Sequence, residues 1–222
     1  MHKKFFLLSW PLKKVIYLGI ILFVLSVLSI FFVDHRLTQY IHNTYGVSLD
    51  QPANIITRLG LADVYFWIGS IGFIFCFIIE KYLFYTLKLE KTNLSSILKW
   101  KTNFKFMFYT FLYSGIILVV LKMIFGRCRP YNSPTFDALL FKPFTLDWNF
   151  QSYPSGHTQV SFTMACFMSY LWPKFTTLFF TIAVLIASTR IILQYHYLGD
   201  TLIGSYIGIL GFYLSHKSFF KS

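Results

Sequence analysis

Acidic side chains are scarce in this sequence of 222 residues: eight Asp and Glu stand against 20 Lys and Arg, for a formal net charge of +12. Charge of either sign is thin, at 13% of residues, while 56% are hydrophobic and 21% aromatic. So little charge cannot cover the wetted surface of a soluble domain, which excludes that class and leaves an integral membrane protein. No basic stripe lies on a polar scaffold, so nucleic acid is set aside as a partner. The excess of lysine fits cytoplasmic anchoring and attraction to anionic headgroups instead. Cysteine is sparse too. Cys76, Cys128 and Cys166 show no CxxC spacing, which excludes a disulfide framework and leaves a metal or redox role without support. They read as small hydrophobes. Internal repeats, low-complexity tracts and interdomain linkers are all missing, so residues 1–222 read as one domain.

What the chain does have is apolar length. Val15 to Val33 is a run of 19 residues without a charge, close to the roughly 20 that a membrane span needs. His2, Lys3, Lys4, Lys13 and Lys14 precede it as in a signal peptide, but no A-x-A pattern follows, so an uncleaved first helix is expected. Further spans are expected over Val64–Ile79, with Tyr82–Leu87 at the interface, and over Phe106–Leu121. Three more run from Ser155 to Trp172–Pro173, from Phe175 to Leu193, and from Tyr197 to Leu214. In the last of these, Gly204 and Gly208 are spaced to let another helix approach closely. The expected fold is all-α and integral to the membrane, with six transmembrane helices.

Lysine placement orients them. With the N-terminus in the cytoplasm, the lysine-rich connection from 80 to 105 falls inside, and both chain ends are cytoplasmic. The outer side keeps Arg36, Arg58, Lys122, Arg127, Arg129, Lys142 and Arg190. Two long connections, Asp34 to Gly60 and Tyr131 to Tyr153, lie on that side as loops suited to headgroup contact.

Three polar clusters interrupt the apolar sequence and meet at this outer face: Lys122 with Arg129 and Pro130, then Pro154-Ser155-Gly156-His157, then Arg190 with His196 and Asp200. A cation in a membrane segment costs roughly 2.5–3.5 kcal/mol at the helix centre. Taken singly, the clusters could be interfacial anchors, a helix start and a polar pair one turn apart. Together, Lys122, Arg129 and Arg190 put permanent positive charges around one spot in low dielectric, which calls for an anion. Arginine forks fit phosphate oxygens in pairs, and lysine adds a point charge. A helix beginning near Ser155–Gly156 would add backbone N–H groups and a favourable dipole. His196 and Asp200 have a plausible ligand spacing, but the same positive field repels a divalent cation, so neither metal nor cofactor is expected. Asp200, four residues after His196, is expected to hold one ring nitrogen and leave the other aimed at phosphorus. His157 is expected to protonate the leaving oxygen and then activate water. His2, His35, His42 and His216 lack such company and read as surface groups.

These residues resemble the type 2 phosphatidic acid phosphatase, or lipid phosphate phosphatase, superfamily, whose pattern is K-x6-R-P, then P-S-G-H, then S-R-x5-H-x3-D. Lys122, Arg129 and Pro130 match the first part, Pro154 to His157 the second, and Arg190, His196 and Asp200 the third. Thr189 stands where the pattern has serine, with Ser188 one place earlier. The resemblance covers the C-terminal half. It implies a six-helix core, metal-independent dephosphorylation and a phosphohistidine at His196 with His157 as acid. It also implies a phosphate cradle of Lys122, Arg129, Ser155, Gly156 and Arg190. Some soluble haloperoxidases share the motifs with vanadate, and the membrane segments argue against that use here.

The expected activity is that of a bacterial inner-membrane phosphatase cleaving a phosphomonoester from a phospholipid or glycolipid at the periplasmic surface, with no obligatory protein partner evident. Small size and broad outer loops resemble bacterial lipid A phosphatases acting on the 4′-phosphate. Undecaprenyl diphosphate and phosphatidylglycerophosphate are the alternative substrates. An anion transporter or channel would also explain the arginines. It would not explain Asp200 behind His196, and no repeat of broken helices is visible in the two halves.

Overall fold

The computed structural model describes residues 5–45, 48–86, 88 and 94–220. The chain folds into helices α1 (Leu12–Phe32), α2 (Asp34–Tyr45), α3 (Asp50–Thr57), α4 (Ala62–Tyr85), α5 (Ser95–Phe125), α6 (Gly156–Leu171), α7 (Thr176–Ile192) and α8 (Leu198–Phe219). Among the described residues no strand forms, and the pairing of Arg127 with Phe141 is an isolated bridge. Local chemistry sets several of the boundaries. Pro11, extended at ψ 153°, precedes α1. Gly126 ends α5 in the left-handed conformation at φ 59°, where a Cβ would also collide with the Lys142 carbonyl. Pro173 bars α6 from continuing past Trp172.

The centre of the bundle is α8, which packs against α1, α5 and α6. Its glycines make the close approach possible. A Cβ on Gly204 would lie 2.5 Å from the Ser155 carbonyl, and one on Gly208 would lie 2.6 Å from that of Gln159, so the helix this pair admits is α6.

Four stretches are long and apolar enough to cross a membrane: Leu12–Phe32, Asp50–Tyr85, Ser95–Phe125 and Pro173–Ile192. Of the six spans expected, the fourth and sixth, α6 and α8, are not among them. With 16 residues, α6 reaches about 24 Å, and α8 buries Asp200, Thr201, Ser205 and Ser215. Position explains the difference. The outer helices turn side chains such as Ile20, Phe31, Trp67 and Phe75 outward, whereas α6 and α8 face other helices and are built from small and hydroxylated residues.

Some expectations do change. The connection from Asp34 to Gly60 is not a loop but carries α2 and α3. The lysine-rich connection from 80 to 105 is largely helical, with Lys81 on α4 and Lys99, Lys101 and Lys105 on α5. There Lys101 pairs with Glu80 at 2.5 Å and lies over the Phe77 ring. The segment after Tyr82 continues α4 to Tyr85, and Leu87 lies outside the described residues, as do His2, Lys3, Lys4, Lys91 and Lys221. His216 is not a surface group: it is half-buried among the rings of Phe106, Tyr170 and Phe220.

Candidate active site

The end of α5, the turn after it, the start of α6, the end of α7 and the turn into α8 converge on one cavity of about 900 Å³. Six of the eight site residues expected from the sequence line it: Lys122, Arg129, Gly156, His157, Arg190 and His196. Ser155 and Asp200 do not. Both are fully buried behind the wall, where the Ser155 N–H donates to the Asp200 carbonyl at 3.0 Å. The Ser155 hydroxyl accepts from that of Thr158. Its amide is therefore already engaged, and the N–H groups left at the head of α6 begin with Gly156.

Each cation is held by neutral groups. Lys122, buried near the end of α5, donates to the Gln151 carbonyl. Arg129 donates to the carbonyls of Trp148 at 3.0 Å and Gln151 at 3.4 Å, and its guanidinium lies 4.0 Å from the centre of the Trp148 ring. Arg190 donates to the Thr57 hydroxyl of α3 at 2.7 Å and stacks on Tyr195. Among the described residues, none of the three has a carboxylate partner within salt-bridge distance. Three cations share one cavity whose lining holds a single acid, Asp63, and among the described residues no carboxylate pairs with any of them, an arrangement that favours a bound anion.

Arg127, between Lys122 and Arg129 in sequence, takes no part in that cluster. It is fully buried and bridges two carboxylates, Asp200 at 2.5 Å and Asp34 at 2.8 Å. It also donates to the Ala138 carbonyl and lies over the Tyr197 ring. Asp34 accepts in addition from the Ser29 hydroxyl and the Gly199 N–H, tying the corner between α1 and α2 to the head of α8. Burial pushes the Asp34 carboxyl above its ordinary range, with Arg127 pulling the other way.

His196 stands in the turn between α7 and α8. Its Nδ1 lies 2.7 Å from the Ser152 carbonyl and 3.6 Å from Asp200 Oδ2. A carbonyl can only accept, so Nδ1 carries the proton and Nε2 is left bare. The direct hold that the spacing assigned to Asp200 is therefore made by the Ser152 backbone. Asp200 acts one step back, accepting from the Ser152 hydroxyl at 2.5 Å and from the Tyr197 N–H at 2.9 Å. Burial, reinforced by the charges of Arg129 and Lys122, holds the His196 imidazole well below its usual value, against an opposing pull from Asp200.

Sequence reasoning missed Arg127 as the partner of Asp200, and Asp34, Ser152, Gln151 and Thr57 altogether. One signal was present: Asp34 is a lone acid placed directly after the first apolar run. The backbone acceptors at Gln151 and Ser152 leave no trace in side-chain identity.

Residues 104–222 match the profile of the PAP2 superfamily. Over 103 residues, 46% of this chain, the sequence is 29% identical to proteins named lipid A 1-phosphatase from Rhizobium johnstonii and from Rhizobium etli. That match covers 42% and 44% of those proteins, so the chain spans less than half the length of the curated relatives it matches. Among solved structures, Aquifex aeolicus LpxE resembles the chain with a TM-score of 0.54 at 22% identity, over 83% of this chain and 95% of that one. At that identity the likeness is one of fold.

Proposed function

Because this chain belongs to the PAP2 superfamily, we propose that it is a membrane phosphatase hydrolysing a phosphomonoester of a lipid, without a metal, through a phosphohistidine. One observation carries the reading: Lys122, Arg129 and Arg190, none paired with a carboxylate among the described residues, share a cavity with His157 and with His196, whose Nε2 is bare. The cations and the N–H groups from Gly156 onward would hold the phosphate oxygens. Nε2 of His196 attacks phosphorus as the bond to the leaving oxygen breaks, and His157 gives that oxygen its proton. Water then attacks phosphorus, the phosphorus–nitrogen bond breaks, and His157 takes up the water proton. Asp200 and Ser155 support this set from behind, the first through Ser152 and the second through its place at the head of α6.

The reading includes α6 and α8 as the fourth and sixth of six membrane-crossing helices in a single domain, with both chain ends cytoplasmic and the site at the periplasmic face of a bacterial inner membrane. The lysines on the 80–105 side support that orientation. Lipid A is the favoured substrate, and the names of the Rhizobium relatives favour its 1-phosphate over the 4′-phosphate expected from the sequence. Undecaprenyl diphosphate and phosphatidylglycerophosphate are the competing lipids. Phosphate release by the purified protein from each of these, beside His196→Ala, tests the proposal: undiminished turnover in that variant ends it. Mass spectrometry of the lipid A product tells which phosphate has gone.

A further inference from the structure

We infer that Gly115 determines specificity by keeping open an apolar arm of the cavity for the hydrocarbon chain of a lipid phosphate bound at Lys122. The inference rests on the phosphatase reading above and goes beyond it in naming the position that selects for a chain.

Among the described residues, the other helical glycines each have a neighbour that a Cβ would meet. Gly19 faces Tyr206, Gly69 faces Met107, Gly72 faces Phe104, and the glycines of α8 face α1, α5 or α6. Even Gly156 has Leu118 at 3.5 Å. Gly115 has nothing within 4 Å. Glycine in a helix interior weakens the helix relative to alanine, and here no packing contact compensates for it. The space it leaves belongs to the cavity, which Gly115 lines.

Helix geometry connects that space to the phosphate site. Gly115 precedes Lys122 by seven residues on α5, which places it on nearly the same face about 10.5 Å along the axis. Around it the walls are hydrocarbon and aromatic: Phe66 and Trp67 from α4, and Leu112, Ile116 and Val119 from α5. Trp67 is 61% exposed and Ile116 57%, so this arm lies open on the outer, lipid-facing side of the bundle. The cavity thus has a cationic pole and an apolar arm continuous with it. A compact phosphomonoester fills the pole alone, whereas a lipid phosphate extends from the pole past Gly115.

The test compares Gly115→Leu with wild type on three substrates: hexa-acylated lipid A and dioleoyl phosphatidic acid as chain-bearing probes, and para-nitrophenyl phosphate as the chain-free one. The readout is the ratio of kcat/KM for the better lipid to that for para-nitrophenyl phosphate, and it is expected to fall at least tenfold. Gly115→Ala, which adds only a Cβ, is expected to change the ratio by less than threefold. Val119→Trp obstructs the same arm from an exposed position and is expected to reproduce the fall if Gly115→Leu does not fold. An unchanged ratio in folded Gly115→Leu or Val119→Trp overturns the inference, as does a wild type that hydrolyses para-nitrophenyl phosphate but neither lipid. A wild type that releases phosphate from none of the three overturns the phosphatase reading itself, a different outcome.

Discussion

The Arg127 guanidinium lies 2.5 Å from Asp200 Oδ1, closer than Asp200 comes to His196, whose Nδ1 is 3.6 Å from Oδ2. Two arginines separated by one residue therefore have different surroundings. Arg127 is spent on the protein's own carboxylates, whereas Arg129 has no carboxylate partner among the described residues and is free for the phosphate role proposed above.

That division predicts opposite phenotypes. Arg127→Met leaves Asp34 and Asp200 facing each other in a buried site without their cation, a loss on the order of 3–5 kcal/mol. Arg129→Met removes a cation that has no carboxylate partner, so stability changes little while phosphate binding weakens. Unfolding in detergent and competition by inorganic phosphate read the two effects. Equal destabilisation by both variants would contradict the assignment.

The two histidines should separate by leaving group. His196→Ala removes the proposed nucleophile and is expected to lower turnover by at least about 10³-fold on any phosphomonoester. His157→Ala removes a proton donor, an effect of about 10²–10⁴-fold that shrinks when the leaving group needs no proton. Comparing an alkyl phosphate with para-nitrophenyl phosphate measures this, and equal losses on both would remove His157 from the role of acid.

Acid should destabilise the protein through His196. Its imidazole sits well below the ordinary value of 6.5 in the folded state, so the unfolded chain takes up that proton first as pH falls. The neutral ring's contribution to stability is complete above pH 6.5 and is lost progressively below it. Wild type should therefore lose Tm relative to His196→Asn as pH drops below 6.5. A Tm difference that stays flat with pH would show that the ring's burial does not govern its charge.

Chelation should have no effect. Lys122, Arg129 and Arg190 outnumber Asp63, the one acid in the cavity lining, and so repel a divalent cation. Turnover in EDTA is expected to equal turnover without it, and a rate lost to EDTA and restored by Mg²⁺ would count against the proposed chemistry.

Much of the candidate site could be read in advance because its charged and imidazole side chains stand at helix ends. Lys122, Arg129, His157, Arg190 and His196 stand out as charge or imidazole beside apolar sequence, and the structure gathers them around one cavity. What stayed hidden depends on distance along the chain or on backbone. Asp34 and Arg127 are 93 residues apart, and the Ser152 carbonyl that fixes the His196 tautomer is common to any residue type. Hydropathy identified α1, α4, α5 and α7 because those helices face outward. It was a poorer guide to α6 and α8, whose small and hydroxylated residues answer to neighbouring helices. The helices α2 and α3 were missed because each is short and half-polar, so neither shows a long apolar run.

The link from Asp34 through Arg127 to Asp200 also imposes an order on biosynthesis. Asp34 leaves the ribosome long before its partner arginine, directly behind the first apolar helix, and burial favours its protonated form. Arg127 follows after α5, and Asp200 only with α8. A nascent chain halted before α8 would hold the arginine with one of its two anions missing, so the arrival of α8 completes the electrostatic lock.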